Sequence, residues 1–231
     1  MPTSHHAFSF IDIHYHADPD LYKRRHGAIK VGKYYKKING AVVLKSHLGS
    51  TSVQATIAQQ EGLPVFPSIV LNKIAGGINY MAVLRALAEY QPVIQSRLIV
   101  HLPTITGRKH KSNLSRDMAS PELRQALFQI ETVFNEDGKL KSELIDIFKL
   151  TRDYPIVLST GHASKNETYA LIEACDQWQV PALLLNQPAN PLTGLKAVDL
   201  QNIAKQHSFV WTEQTALTYL LNYQDELDFS N

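Results

Sequence analysis

The stretch Phe8-Ser-Phe-Ile-Asp-Ile-His-Tyr-His16 decides how this chain is read. It is apolar until its last residues, and residues 8–14 read as a strand that runs into polar chemistry at its C-terminal end. Alternate side chains of a strand share a face, so His14 and His16 can point together. Two imidazoles converging from one side are what a single divalent ion requires of its nitrogen donors. Two surface histidines brought together by chance are the plain alternative.

Six further apolar runs follow, at residues 40–45, 64–71, 97–103, 155–160, 181–185 and 208–212. They are short and often β-branched, as expected of strands covered on both faces. Amphipathic stretches lie between them and predict helices at 52–61, 80–89, 121–132, 139–151, 166–179 and 200–206, the last beginning as early as 197. A final helix is expected at 215–223. Gly62 stops the first of these, and Ser120-Pro121 supplies an N-cap with proline at the first helical position. Strands alternating with helices argue for α/β with a parallel sheet of about seven strands. Periodicity does not choose between an open doubly wound sheet and a closed barrel. The absence of a glycine-rich loop after the first strand counts against nucleotide binding. Residues 1–231 show no linker and no repeat, so one domain is expected. The polar run TITGRKHKSNLSRDMAS (104–120) is long enough to suggest a functional loop such as a lid.

Chemistry gathers at the strand ends. Lys45 interrupts an apolar run at the end of the second strand, and His47 shares its face two residues on. A lysine there can hold an anionic substrate group, tune a water's pKa, or bind metal as a carbamate. The plain ammonium ranks first, and a lysine merely ending an exposed strand is the bland reading. His162 follows the fifth run after Gly161, well placed for the same pocket, and Ser164 can cap the next helix. His101, inside the fourth run, and Asn72, after the third, are candidates to touch a substrate. The pair Gly76-Gly77 fits close backbone approach to a ligand or a simple turn. Glu213, after the last run, is the best-placed carboxylate near the end of the chain. His110 in the polar loop reads as solvated, and His5, His6, His26 and His207 as surface residues.

Composition narrows the class. Hydrophobic residues are 44% and charged residues 19%, ordinary for a globular domain, and the net charge is +2. That balance is too weak to argue for nucleic acid. Lys23, Arg24, Arg25 and Lys33, Lys36, Lys37 read as a solvated face or a phosphate-facing loop. The one cysteine, Cys175, lies in an apolar-periodic run and reads as a packed helix residue. With no disulfide to form within the chain, a reducing compartment is the default. No signal peptide and no membrane span are evident, so a cytoplasmic location is expected by elimination. The expected partner is a small-molecule substrate, without nucleic acid or membrane; oligomeric state is not readable.

The order DIHYHADPD (12–20), VVLKSHLGST (42–51), FPSIVLNKIAGGIN (66–79) and STGHAS (159–164) resembles a family of amidohydrolase-like metal-dependent hydrolases, across residues 8–213. The resemblance implies a distorted or incomplete (β/α) TIM-like barrel with its site at the C-terminal strand ends. It implies a divalent ion, zinc first with manganese or iron as alternatives, that activates a water for attack on an ester, amide, lactone or similar bond. His14, His16 and His162 match its ligand motifs, and Lys45 and His47 match its KSH motif, with His47 a further ligand. Three departures stand out. The lysine is on the second strand, where better-known relatives carry theirs on the fourth, so lysine carboxylation is not carried over. Gln187 stands where such relatives show a histidine before the proline, which suits substrate hydrogen bonding better than zinc. An eighth strand with a catalytic aspartate is expected in relatives but not seen here; Asp225 and Asp228 lie in a tail without an apolar strand, and Glu213 is the candidate replacement base, beside Lys45 in the catalytic set. Two other readings compete. One is a histidinol-phosphatase-type phosphoesterase, which also opens with HxH and would suit Lys23, Arg24 and Arg25. The other is a catalytically degenerate barrel that binds metal or a small molecule without turnover.

Overall fold

A computed structural model describes residues 8–108 and 116–216, and it is α/β with parallel sheets. In chain order the elements are β1 (Phe10–Tyr15), α1 (Ala28–Lys37), β2 (Gly40–Leu44), α2 (Ser52–Gln60), β3 (Val65–Phe66), β4 (Ser68–Val70), α3 (Tyr80–Glu89) and β5 (Leu98–His101). They continue with α4 (Arg124–Leu127), α5 (Glu143–Asp153), β6 (Ile156–Ser159), α6 (Lys165–Gln177), β7 (Leu183–Leu185), α7 (Ala197–Gln206) and β8 (Val210–Thr212). The strands form a three-stranded sheet, β1-β2-β3, and a five-stranded sheet, β4-β5-β6-β7-β8.

The expected third strand is thus divided, and the division falls at Pro67, which has no N–H to give a ladder. Side chains take over there. The Ser68 hydroxyl donates to the Leu44 carbonyl (2.5 Å), and the Thr51 hydroxyl reaches the same carbonyl (3.1 Å) while accepting from the Ser68 N–H (2.9 Å). Among the described residues no ladder joins β1 to β8. The seven predicted runs therefore give eight strands in two sheets, and no closed barrel.

The two sheets still share an interior. Ala41 and Val43 of β2, Phe66 of β3, Ile99 of β5 and Leu184 of β7 form one buried cluster, with Ile13 of β1 and Val157 of β6 packed on it. The opposite face of β2, Val42 and Leu44, packs on α1 and α2 through Val31, Tyr35, Ala55 and Ala58. The opposite faces of β4 to β7 pack on α3, α5 and α6 in the largest core, which includes Phe148, Leu171 and Cys175. Cys175 is fully buried, which pushes its thiol up to about 12 and fits the packed-helix reading.

β1 carries a register shift between Asp12 and Tyr15. Asp12 bonds the Tyr35 hydroxyl and Tyr15 packs on the α1 side, so two residues three apart share the outer face. An extra residue in the strand, a bulge, accounts for this. The Asp12 carboxylate accepts from the His14 N–H (2.9 Å), which occupies the amide at the irregularity. Ile13 faces inward, and past the bulge His14 does too.

Two helix predictions need correction. α1 was not expected: Lys30, Lys33, Lys36 and Lys37 mask a narrow apolar stripe, of which Val31 and Tyr35 are the buried pair at i, i+4. The helix expected over 121–132 stops at Leu127 after a short 3-10 turn, because Glu131 turns away to bond the Ile105 carbonyl and Lys141. The helix expected at 215–223 lies outside the described residues beyond Ala216, as do His5, His6, His110, Asp225 and Asp228. No helix among the described residues is long and apolar enough to cross a membrane.

Candidate functional site

Period-two alternation carries the inward face of each strand onto its C-terminal end. Lys45 follows Val43 by two residues, His101 follows Ile99, Ser159 follows Val157, and Asn186 follows Leu184. These residues meet His14 and His16 from β1 and Glu213 from the end of β8. The sheets, unlinked by a ladder, are linked here by side chains.

The deepest contact is a buried network. Lys45 is 2% exposed, and its Nζ donates to Asn186 Oδ1 at 2.9 Å. Asn186 Nδ2 donates to both Glu213 oxygens at 2.9 Å. Glu213, 3% exposed, lies 2.5 Å from His14 Nδ1. Burial pushes Lys45 down to about 8, against the pull of Glu213 and Asp20. Burial pushes the Glu213 carboxyl up, while Lys45 and Asn186 draw it back. Burial, then the charges of Lys45, His47 and Arg24, hold His14 well below the usual imidazole range. The 2.5 Å contact suits an Nδ1–H donating to the Glu213 carboxylate, the arrangement that leaves Nε2 with its lone pair.

A second group stands beside it. One ligand atom each from His16, Asp20 and His47 lies within 4.8 Å of the other two, so the three could hold a metal ion. The His16 and His47 rings stack at 4.5 Å and 13°. Two imidazoles sharing one tetrahedral ion through bonds of ~2.1 Å have centroids on the order of 5 Å apart, and His14 and His16 stand at 5.2 Å. Asp20 is 1% exposed and takes the His47 N–H (2.7 Å), while His47 Nδ1 is 3.1 Å from both its oxygens. His16 Nδ1 is 3.3 Å from Asp20 Oδ2 but lacks hydrogen-bond geometry, and it is buried without a partner. A buried nitrogen left unsatisfied within a His/Asp cluster fits a cation. Burial pushes Asp20 up, but the His16 and His47 imidazoles beside it outweigh that and hold the carboxyl well below the usual range. Burial also lowers His16 and His47, opposed by Asp20.

Arg24 approaches Asp20 with Nε at 2.8 Å and Nη2 at 2.5 Å. It belongs to the sequence's basic cluster yet turns inward. Lys33, Lys36 and Lys37 lie on the exposed side of α1.

The remaining candidates are placed as follows. Asn72 is fully buried: its Oδ1 accepts from the Thr104 and Ile105 N–H groups (2.7 and 3.0 Å), and its Nδ2 donates to the His47 carbonyl (2.9 Å). It is engaged as a clamp on His47 and the β5 exit. His101 is fully buried, with Nδ1 2.9 Å from Ser159 Oγ and its ring 6.4 Å from that of His14. Gln187 Nε2 sits 3.4 Å from His14 Nδ1, over the Glu213 contact. His162 lies on the β6–α6 turn, its N–H on the Pro103 carbonyl and its own carbonyl accepting from Arg108. Gly161 permits that turn, since φ is +58° and a Cβ would meet the Leu102 carbonyl oxygen at 2.1 Å. His14 and His162 lie outside the His16–Asp20–His47 group.

Sequence reasoning passed over Asp20, Ser159 and Asn186, and read Arg24 only as part of a solvated or phosphate-facing basic cluster. Asp20 stood in the motif DIHYHADPD among three aspartates of equal standing. The period-two rule that puts His14 with His16 and Lys45 with His47 also selects Ser159 and Asn186 when it is applied to polar residues without metal-ligand chemistry.

The profile of DUF6282, a family of unknown function, matches residues 9–211. The chain belongs to that family. No curated protein and no solved structure matches it. The DUF6282 match spans both sheets and the strand ends that form the site, except Thr212 and Glu213.

Proposed function

We propose that this DUF6282 member is a metal-dependent hydrolase of the amidohydrolase type, built on an open form of the TIM-like barrel. One observation carries the reading: histidines converge at the C-terminal strand ends in a largely buried cluster, two of them backed by carboxylates, as metal-ligating imidazoles are. His16, His47 and Asp20 hold the ion, zinc first, with His14 presenting Nε2 beside them.

A divalent ion in such a site supplies an activated water at neutral pH and polarises the scissile bond. The chain's own residues do the rest. Glu213 fixes the His14 tautomer, and Asn186 and Lys45 fix Glu213. Both Glu213 oxygens are occupied, so it acts as a positioning group rather than the free base expected from sequence. Buried charges already cancel, Arg24 and Lys45 against Asp20 and Glu213. A cation held by His16, Asp20 and His47 would therefore favour a substrate that brings an anionic group of its own. The phosphoesterase alternative loses one support, because Arg24 is committed to Asp20.

Elemental analysis of purified protein beside the His16→Ala/His47→Ala variant tests the reading, followed by a panel of esters, amides and lactones. About one metal per chain, lost in the folded variant, together with metal-dependent turnover is expected. No metal after reconstitution sinks the mechanism; metal without turnover of any substrate favours the degenerate barrel.

A further inference from the structure

His14 and His47 are each backed at Nδ1 by a carboxylate, which only accepts, so both carry their hydrogen on Nδ1 and leave Nε2 bare. His101 differs. Its Nδ1 partner is the Ser159 hydroxyl, which both donates and accepts. Ser159 is fully buried, and among the described residues its Oγ makes that one hydrogen bond. Its hydrogen has nowhere else to go. Ser159 therefore donates to Nδ1, and the His101 hydrogen sits on Nε2. That nitrogen is buried and meets no protein acceptor.

We propose that His101 Nε2–H is the site's hydrogen-bond donor to an oxygen anion of the bound ligand, with Ser159 as the positioning residue that sets its tautomer. A protonated nitrogen offers no lone pair, so His101 is not a metal ligand although it lies among histidines that suit one. An N–H held without a partner in a buried site is preorganised for charge on a ligand oxygen. Burial, reinforced by Lys45, keeps the ring neutral, consistent with a single hydrogen. The assignment rests on reading the strand ends as a substrate site, but it does not require an ion there.

Long-range proton–nitrogen correlation spectra of protein labelled with ¹⁵N-histidine test this, with His101→Gln used to assign the resonance. The expected spectrum shows His101 with hydrogen on Nε2. Ser159→Thr keeps that state, Ser159→Ala loses it, and His101→Gln binds as much metal as the wild type. Titration with inorganic phosphate or acetate shifts the Nε2–H signal, and whichever anion does so identifies a phosphate-type or carboxylate-type oxygen. A hydrogen on Nδ1, loss of metal from folded His101→Gln, or no shift with either anion overturns the proposal. An Nε2–H that responds to anions in a protein without metal upholds it and removes the metal mechanism instead.

Discussion

The two sheets furnish the site with different chemistry. Strand ends of the three-stranded sheet deliver His14, His16, Asp20, Lys45 and His47, a dense set of potential ligands and charges within one stretch of chain. The five-stranded sheet delivers Asn72, His101, Ser159, Asn186 and Glu213, which chiefly fix tautomers and pair charges. A cluster of ligands is not a site until something sets which nitrogen is bare. For His14 that work falls to Glu213, on a sheet sharing no ladder with the first, and for His47 to Asp20 of its own half.

The largest expected effect is at the contact between the sheets. Lys45→Met leaves Glu213 buried without its principal countercharge and should cost about 3–5 kcal/mol, read by urea unfolding. Glu213→Gln should cost less, because Lys45 keeps Asp20 nearby. The double variant should recover most of the loss; simple additivity would mean that the sheets are not coupled through this pair.

Acid should separate the halves. His14, His16, His47 and His101 are held below the ordinary 6.5, so the unfolded chain binds their protons first. Stability is full above about 6.5 and falls as pH drops, by up to about 1.4 kcal/mol per unit for each histidine. Asp20, held below 3.8, adds a second loss as pH falls below that value. Three of the four histidines belong to the three-stranded sheet, so His101→Gln should keep most of the first slope. Chemical denaturation across pH checks this, and a flat profile between 6.5 and 5 would contradict it.

Asn72→Ala strips an acceptor from two N–H groups and a donor from the His47 carbonyl, with an expected cost of about 2–3 kcal/mol. It should also weaken metal affinity, because the clamp reaches across to His47. An unchanged affinity would confine Asn72 to stability. The smallest effect belongs to Ser164→Ala, which removes a capping box with Glu167 inside the five-stranded half. About 1 kcal/mol is expected, with metal content unchanged.

Much of the scaffold was legible because the burial period is simple. Each strand run was found, and Tyr80–Glu89 matches its predicted span. Lys45 stands out because it interrupts an apolar run, and the Ser164 cap because of its place before a helix. The rest needed three dimensions. Arg24 looks like any solvated basic residue until Asp20 is folded beneath it. Pro67 is one of eleven prolines, and only its position between strands makes it the division of the sheet. The pairing of His14 with Glu213 spans nearly the whole chain. Spacing within a strand could suggest that His14 and His16 share a face, but not which one.

That last point turns on parity. Asp12 and Tyr15 share the outer face across an odd interval, so the bulge has changed the count of β1 by one. Plain alternation from Asp12 onward, with the bulge flattened and no residue lost, would leave the composition untouched. It would trade the addresses of the two faces beyond Ile13, sending the imidazoles toward Tyr35 and α1. In this chain a point substitution edits one group of the site, whereas loss of the β1 bulge relocates its histidines together.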